Sequence, residues 1–405
     1  MLRKTLVSVL VAIALLRASS VLAQDGGPDV ENVRVRIGPL MMDPKVSISN
    51  IGMDHNVFND PADKTPKSDF TFTVTPLADF WLHLGPTWLT STLGSQLNWY
   101  DKYSSERSVN NTYKLGWFAP GSRMNFKVDG AYIDAKERPG FEIDTRAARK
   151  ETAFSGSLEF KTLTDSWLGV TAARRQTDFG EHEEYLGTNL QQALDLASTS
   201  FGVNFRRQLT PLTSITLAGS RVLDKFEFSP DRNATSTMAT LSAQFNPGAL
   251  LKGGASIGFN NFKPDDPALP GYQGMVGSVD LTYVLLGSTR FAVTGGRSTK
   301  YSYDVNQPYY VQSQIGGSIA QQIFGPIDVM VRGDIAALDY RNRAGATVAV
   351  PDRTDHVTTV GVGIGYHLGK DLRLSFNVDQ NNRDTLVHDH QYEKYLVGAS
   401  LTYGF

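Results

Sequence analysis

Leu372-Arg373-Leu374-Ser375-Phe376-Asn377-Val378-Asp379 alternates apolar and polar side chains without a miss. Successive side chains of an extended strand point to opposite faces, so the stretch reads as a strand that is apolar on one side and charged on the other. The segment before it repeats the pattern, with Thr358, Val360, Val362, Ile364 and Tyr366 on one face and Thr359, Gly361, Gly363, Gly365 and His367 on the other. Met124, Phe126 and Val128 alternate with Arg123, Asn125, Lys127 and Asp129, and Phe154, Leu158 and Phe160 with Ser155, Ser157, Glu159 and Lys161.

Extended along the chain, the alternation predicts strands over 45–53, 69–84, 88–103, 110–118, 123–135, 150–161, 167–178, 198–208, 213–227, 234–245, 250–262, 274–286, 289–302, 310–323, 327–341, 355–367, 371–382 and 395–405. Pro76 falls inside the second and requires an irregularity there. Tight turns such as Gly85-Pro86-Thr87, Ala119-Pro120-Gly121-Ser122 and Phe324-Gly325-Pro326 alternate with longer polar loops near 54–68, 136–149, 179–197, 263–273, 342–354 and 383–394. Short turns on one side and long loops on the other are the mark of a transmembrane barrel. The fold class expected is therefore all-β: an antiparallel up-and-down barrel over 45–405 with about 18 strands, or 16 if more of the N-terminal part stays in the periplasm.

Composition fits. Of 405 residues, 41% are hydrophobic, 10% aromatic and 20% charged, too apolar for disorder and without the long apolar runs that spanning helices need. Cysteine is absent, which removes disulfides, thiolate metal sites and cysteine nucleophiles. Residues 1–23 read as a signal peptide: Arg3 and Lys4, an apolar run from Leu6 to Leu16, then Val21-Leu22-Ala23 before Gln24. Residues 24–44 are expected to form a short periplasmic segment. The leader has three basic residues and no acidic one, so its removal takes the formal charge from −2 to −5. That balance gives no sign of a nucleic-acid partner.

Aromatics cluster at the strand ends. Trp81, Trp88, Trp117, Phe118, Trp167, Phe245, Phe291, Phe324 and Tyr366 lie near the tight turns. Tyr100, Tyr132, Phe226, Tyr301, Tyr310 and Tyr340 lie towards the loops. Two membrane-interface belts are the expectation.

The last segment, Tyr395 to Phe405, puts Tyr395, Val397, Ala399, Leu401, Tyr403 and Phe405 on one face. It resembles the C-terminal strand of bacterial outer-membrane barrels. The resemblance implies recognition by the barrel-assembly machinery, with Tyr403 and Phe405 as the assembly signal. Val46-Ser47-Ile48-Ser49-Asn50, followed by Asp54-His55-Asn56-Val57-Phe58 and by Phe70-Thr71-Phe72-Thr73-Val74-Thr75-Pro76, resembles the start of β-barrel porins associated with exopolysaccharide operons. That resemblance implies an outer-membrane location in contact with lipid and passage of a polar solute or polysaccharide.

A barrel of this strand number leaves an aqueous lumen unless something fills it. The candidates to line it are Arg123, Lys127, Asp129, Glu159, Lys161, Arg206, Asp280, Asp328, Arg332, Asp334, Arg373 and Asp379. Both signs occur, so no single-sign selectivity filter is expected. His388-Asp389-His390 offers two metal ligands without a third fixed by spacing, and reads as a solvated loop. Glu181-His182-Glu183-Glu184, ahead of a short helix over 188–196, reads as a charged surface loop. No catalytic residues, cofactor or metal are expected. A passive channel or export pore leads, with an occluded structural or adhesion barrel and an outer-membrane hydrolase as rivals.

Overall fold

The computed structural model describes residue 30 and residues 33–246, 250–344 and 352–404. The expected cleavage site and Phe405 lie outside these residues. Eighteen strands close into one antiparallel barrel: β1 Leu40–Asp54, β2 Asp69–Leu84, β3 Thr87–Tyr100, β4 Ser108–Ala119, β5 Met124–Glu137, β6 Ala147–Leu163, β7 Ser166–Phe179, β8 Leu196–Thr210, β9 Thr213–Phe226, β10 Ala234–Phe245, β11 Leu251–Pro264, β12 Tyr272–Leu285, β13 Thr289–Tyr301, β14 Tyr309–Phe324, β15 Ile327–Arg341, β16 Thr354–Leu368, β17 Leu372–Asp384 and β18 Tyr392–Tyr403. Each pairs with its sequence neighbours, and β1 closes the ring on β18. All backbone bonding is then between strands, which is what a lipid-facing sheet requires.

The first strand begins at Leu40 rather than 45, and Val35–Ile37 folds back on it, pairing Ile37 with Leu40 and Val35 with Met42. The stretch expected to remain outside the barrel up to residue 44 is thus part of the sheet from Val35 onwards. Alternation failed there because Leu40-Met41-Met42 is continuously apolar.

Pro76 has no N–H to donate. It is accommodated by an interruption of the β2–β3 ladder between Val74 and Leu77, while Pro76 still stands opposite Val46 on β1. The irregularity at the closing seam lies in β1, where the register shifts around Asn50, whose φ is +55°. Gly52 follows it because a Cβ there would lie 1.9 Å from the Val397 carbonyl oxygen.

The two faces follow the alternation. Leu374, Phe376, Val360, Val362 and Ile364 are exposed on the outside, whereas Arg373, Ser375 and Asp379 are buried on the lumen side.

Candidate functional site

The lumen wall is cross-linked by ion pairs. In β6 and β8, Arg206 Nη2 donates to Glu159 Oε2 at 2.8 Å, and Asn204 Nδ2 donates to Glu159 Oε1 at 3.1 Å. The Arg206 guanidinium also lies 4.2 Å from the Trp167 ring centroid. Arg373 donates twice to Asp328, at 2.8 and 2.6 Å, and His367 Nε2 lies 2.7 Å from the same carboxylate. Arg332 pairs with Asp379 at 2.5 Å, and Lys127 with Asp129 at 3.1 Å. Bidentate Arg–carboxylate geometry fixes both partners, so the three arginine pairs tie together strands two apart, β6 to β8 and β15 to β17, while Lys127–Asp129 lies within β5.

Arg332, Asp334, Arg373 and Asp379 border a lumen cavity of about 430 Å³. The rest of its polar lining is mainly hydroxyl and amide: Ser47, Thr294, Gln314, Thr359, Ser375 and Asn377 among others. Asp280 stands opposite Thr294 on the same face. Lys161 lies at the turn end, its Nζ 5.1 Å from the Trp167 ring. Arg123 is displaced from its expected place: it is exposed in the tight turn before β5 and lies in no strand.

Above the cavity the outer mouth is filled. β12 and β13 pair only from Gly277–Arg297 down to Leu285–Thr289. Above that point Tyr272–Val276 stay with β11, while Ser298–Tyr301 stay with β14. The upper β13–β14 hairpin therefore parts from β12 and bends inward, while β14 stays paired with β15 up to Tyr309–Arg341. Its outer side, with Tyr301, Tyr309 and Val311, packs on Ala234, Phe262 and Tyr272 from the opposing inner wall. Tyr301 meets Phe226 edge to face, with centroids 4.7 Å apart.

The hairpin tip, residues 302–308, is held from every side. Arg232 donates to the Ser302, Pro308 and Ala193 carbonyl oxygens at 2.6–2.8 Å. Loop 138–146 also folds inward, and its Phe141 packs on Tyr310, Ala336, Leu338, Tyr340 and Val357. Glu142 beside it accepts from Ser302 Oγ at 2.5 Å and from the Tyr303 N–H at 3.3 Å. Burial pushes the Glu142 carboxyl up to about 7, against the hydrogen bond from Ser302 and the charges of Arg353 and Arg383.

Arg383 is the hub. It donates to Asp355 at 2.6 Å, to Asp144 at 2.7 Å and to the Glu142 carbonyl oxygen at 3.0 Å. Its Nη2 lies 3.3 Å from His390 Nδ1. A guanidinium can only donate, so Nδ1 accepts and Nε2 carries the proton that faces Tyr303 Oη at 3.1 Å. Burial and the Arg383 charge push His390 down to about 3, so it stays neutral.

These contacts correct two expectations. Within 388–390, His388 and Asp389 are exposed and pair with Asp63 and Lys64, but His390 is buried in the mouth. The loop-side aromatics do not form a belt: Tyr100, Phe226, Tyr310 and Tyr340 are buried and Tyr301 packs in the mouth, while Tyr132 faces outward. Likewise Trp167 and Phe118 turn away from lipid and are buried. Residues 181, 182 and 184 are exposed as expected, and the short helix, α1 Leu190–Leu194, buries Leu190 and Ala193 in the mouth. Tyr403 is exposed on the outer face and pairs with Val46 and Leu372. Phe141 and Glu142 carried no signal in the sequence, since a nine-residue polar loop reads alike whether it folds in or out.

The family described as Putative beta-barrel porin 2 matches residues 28–405. No curated protein matches the chain significantly. Among solved structures, it is similar to the outer membrane protein opdK from Pseudomonas aeruginosa, with 11% identity, 89% of this chain and 98% of that chain covered, and a TM-score of 0.46. A BenF-like porin from Pseudomonas fluorescens Pf-5 gives 12% identity, coverage of 90% and 99%, and a TM-score of 0.46. The siderophore receptor PirA from Acinetobacter baumannii gives 12%, 90% and 80%, and 0.43.

Proposed function

The chain belongs to the Putative beta-barrel porin 2 family, and from that premise we propose that it is an outer-membrane channel for polar solutes, held here in a closed state. The observation that carries this reading is the cavity of about 430 Å³, lined by charged, hydroxyl and amide groups among apolar side chains such as Ile315 and Ile335, directly beneath a mouth plugged by the β13–β14 hairpin and loop 138–146. The hairpin meets Arg232, Asp224 and Glu142 through side chains, so those bonds can be released while its backbone ladder to β15 stays intact. Polar walls replace part of the hydration a solute gives up on entry, and paired charges of both signs leave little net field to sort ions. The hydroxyl and amide lining suits a saccharide, whose hydroxyl groups both donate and accept, and this supports polysaccharide or smaller sugars as cargo. No covalent step is involved.

Conductance of the purified protein across planar bilayers tests the channel. Brief openings to an ohmic level, lengthened when Glu142→Ala and Ser302→Ala loosen the plug, are expected. A second reading, an occluded structural barrel, is favoured by the density of the mouth network around Arg383. It would be supported by silence in both wild type and loosened variant. Faster liposome swelling in neutral sugars than in charged solutes of equal size would support the saccharide.

A further inference from the structure

Gly316 on β14 stands between Thr294 of β13 and Asp334 of β15, and all three border the lumen cavity. Its missing side chain leaves a cradle: a Cβ there would lie 1.7 Å from Asp334 Oδ1 and 3.2 Å from Thr294 Oγ1. The Asp334 carboxylate therefore lies across β14 in the space that any other residue would fill. Gln314, two residues along β14 and so on the same face, borders the cavity as well. A carboxylate, a hydroxyl and an amide thus surround one glycine.

Their hydrogen-bonding capacity is unspent. Among the described residues, Asp334 accepts no hydrogen bond and forms no ion pair, and its near cation, Arg332, is held by Asp379. Thr359, opposite Asp334 on β16, donates its hydroxyl to Asn381 at 2.7 Å instead. Gln314 Oε1 accepts from Gln312 at 2.7 Å, which leaves its Nε2 to donate. An ionised carboxylate can only accept and this amide nitrogen can only donate, and both face the same cavity.

Phe141, from loop 138–146, borders that cavity from the mouth side. It packs on Ala336 and Val357, which face each other across β15 and β16 two residues above Asp334 and Thr359. Two residues of strand rise about 7 Å, so the phenyl ring stands one inward step above the polar cradle. An apolar surface with a few convergent polar groups beneath it suits a ligand of mixed character. A sugar ring has that character, with C–H groups on its faces and hydroxyls around its edge.

We propose that Asp334, Thr294 and Gln314 around Gly316, beneath Phe141, form a binding subsite for one ring of a neutral saccharide. Two adjacent hydroxyls donate to the Asp334 oxygens, another accepts from Gln314 Nε2, and a C–H face rests on Phe141. An ammonium group would satisfy Asp334 but not the Gln314 donor, and Arg332 two residues away repels it. The inference rests on the channel reading of the lumen and adds which groups hold the cargo. The cavity continues to Thr402 and Gly404, beside the turn 369–371, and a saccharide meets the subsite from that end while the mouth is plugged.

The test is calorimetric titration of the full-length barrel, in a detergent without sugar groups, with neutral trisaccharides of glucose, galactose and mannose and with the trimer of glucosamine. At least one neutral trisaccharide should bind, and more tightly than the amino-sugar trimer. Losing a hydrogen bond to a charged group should weaken D334N about tenfold or more. F141A should weaken in the same direction and F141Y should retain affinity. If D334N fails to fold, T294V replaces it, with a smaller loss. No binding of any neutral trisaccharide, tighter binding of the amino-sugar trimer, or unchanged affinity in the folded variant would each overturn the subsite. So would F141A that binds faster but no more weakly, since Phe141 would then be a seal alone. Conductance of the same samples keeps the two readings apart. Conduction without saccharide binding removes the subsite and leaves the channel, whereas binding in a barrel that never conducts removes the channel and leaves the subsite.

Discussion

The Tyr301 hydroxyl donates a 2.7 Å hydrogen bond to Asp224 Oδ2. Tyr301 stands on the outer side of β13 by its alternation with Val293, while Asp224 is on the inner side of β9. The two can meet only because the upper hairpin has parted from β12 and crossed into the lumen.

Bringing that hairpin back should open the mouth. Continuing the β12–β13 register beyond Gly277–Arg297 would set Met275 opposite Thr299. The chain has no cysteine, so Met275→Cys/Thr299→Cys is a clean probe. Slow oxidation that traps a higher conductance, reversed by reductant, is expected. A disulfide that forms without changing conductance would show that the hairpin does not gate the lumen.

Docking should weaken as pH rises. Glu142 has a docked value of about 7 against an ordinary 4.5, so between those values the docked form holds a proton that the released form has lost. Stability from this group is complete below the lower value and is lost as pH climbs through the higher one. Its neighbours are Ser302, the Tyr303 N–H, Arg353 and Arg383. Open probability should increase from pH 5 to pH 8 in wild type and stay flat in Glu142→Gln. A steep pH response in that variant would assign the titration elsewhere.

Arg383→Ala should loosen the mouth while sparing the barrel. It strands Asp355, fully buried, without one of its cations and leaves Asp144 short of a partner. Breaking such a pair costs about 3–5 kcal/mol. Faster proteolysis within 138–146 and 302–308, with unboiled migration unchanged, is the expected result. Protease resistance equal to wild type would remove Arg383 from its place as the hub.

Phe376→Lys should impair membrane insertion far more than Asn377→Lys. Phe376 is 49% exposed on the outer face, while Asn377 borders the lumen cavity. A lysine at the bilayer midplane costs roughly 2–4 kcal/mol. Equal yields of folded protein would mean that the two faces are reversed.

The barrel was legible because a period of two is written by the strand itself, without reference to any distant residue. The strongest example is Leu372–Asp379, where every side chain falls on the face its polarity announces. The mouth was harder, for two separate reasons. Tyr340 has the same parity as Arg332 and Asp334, so the reasoning that turned those two towards the lumen would have turned Tyr340 there as well. Parity, and not nearness to a loop, sets the face that Tyr340 takes. Tyr301 has outward parity, and nothing local reveals the bend that carries it inside. That bend depends on Phe226, Phe262 and Asp224, which belong to other strands.

The seam between β1 and β18 has a mechanical consequence. Its register joins seven residue pairs, interrupted at Asn50, and no other neighbouring pair of barrel strands shares so few. Within a cylinder whose other ladders run from nine to fifteen pairs it is the weakest zip, and it joins the two ends of the barrel sequence. A sheet grown strand by strand from either end has this join left to make last. Pulled sideways, the cylinder parts here first, becoming an open ribbon with β1 and β18 as its free edges.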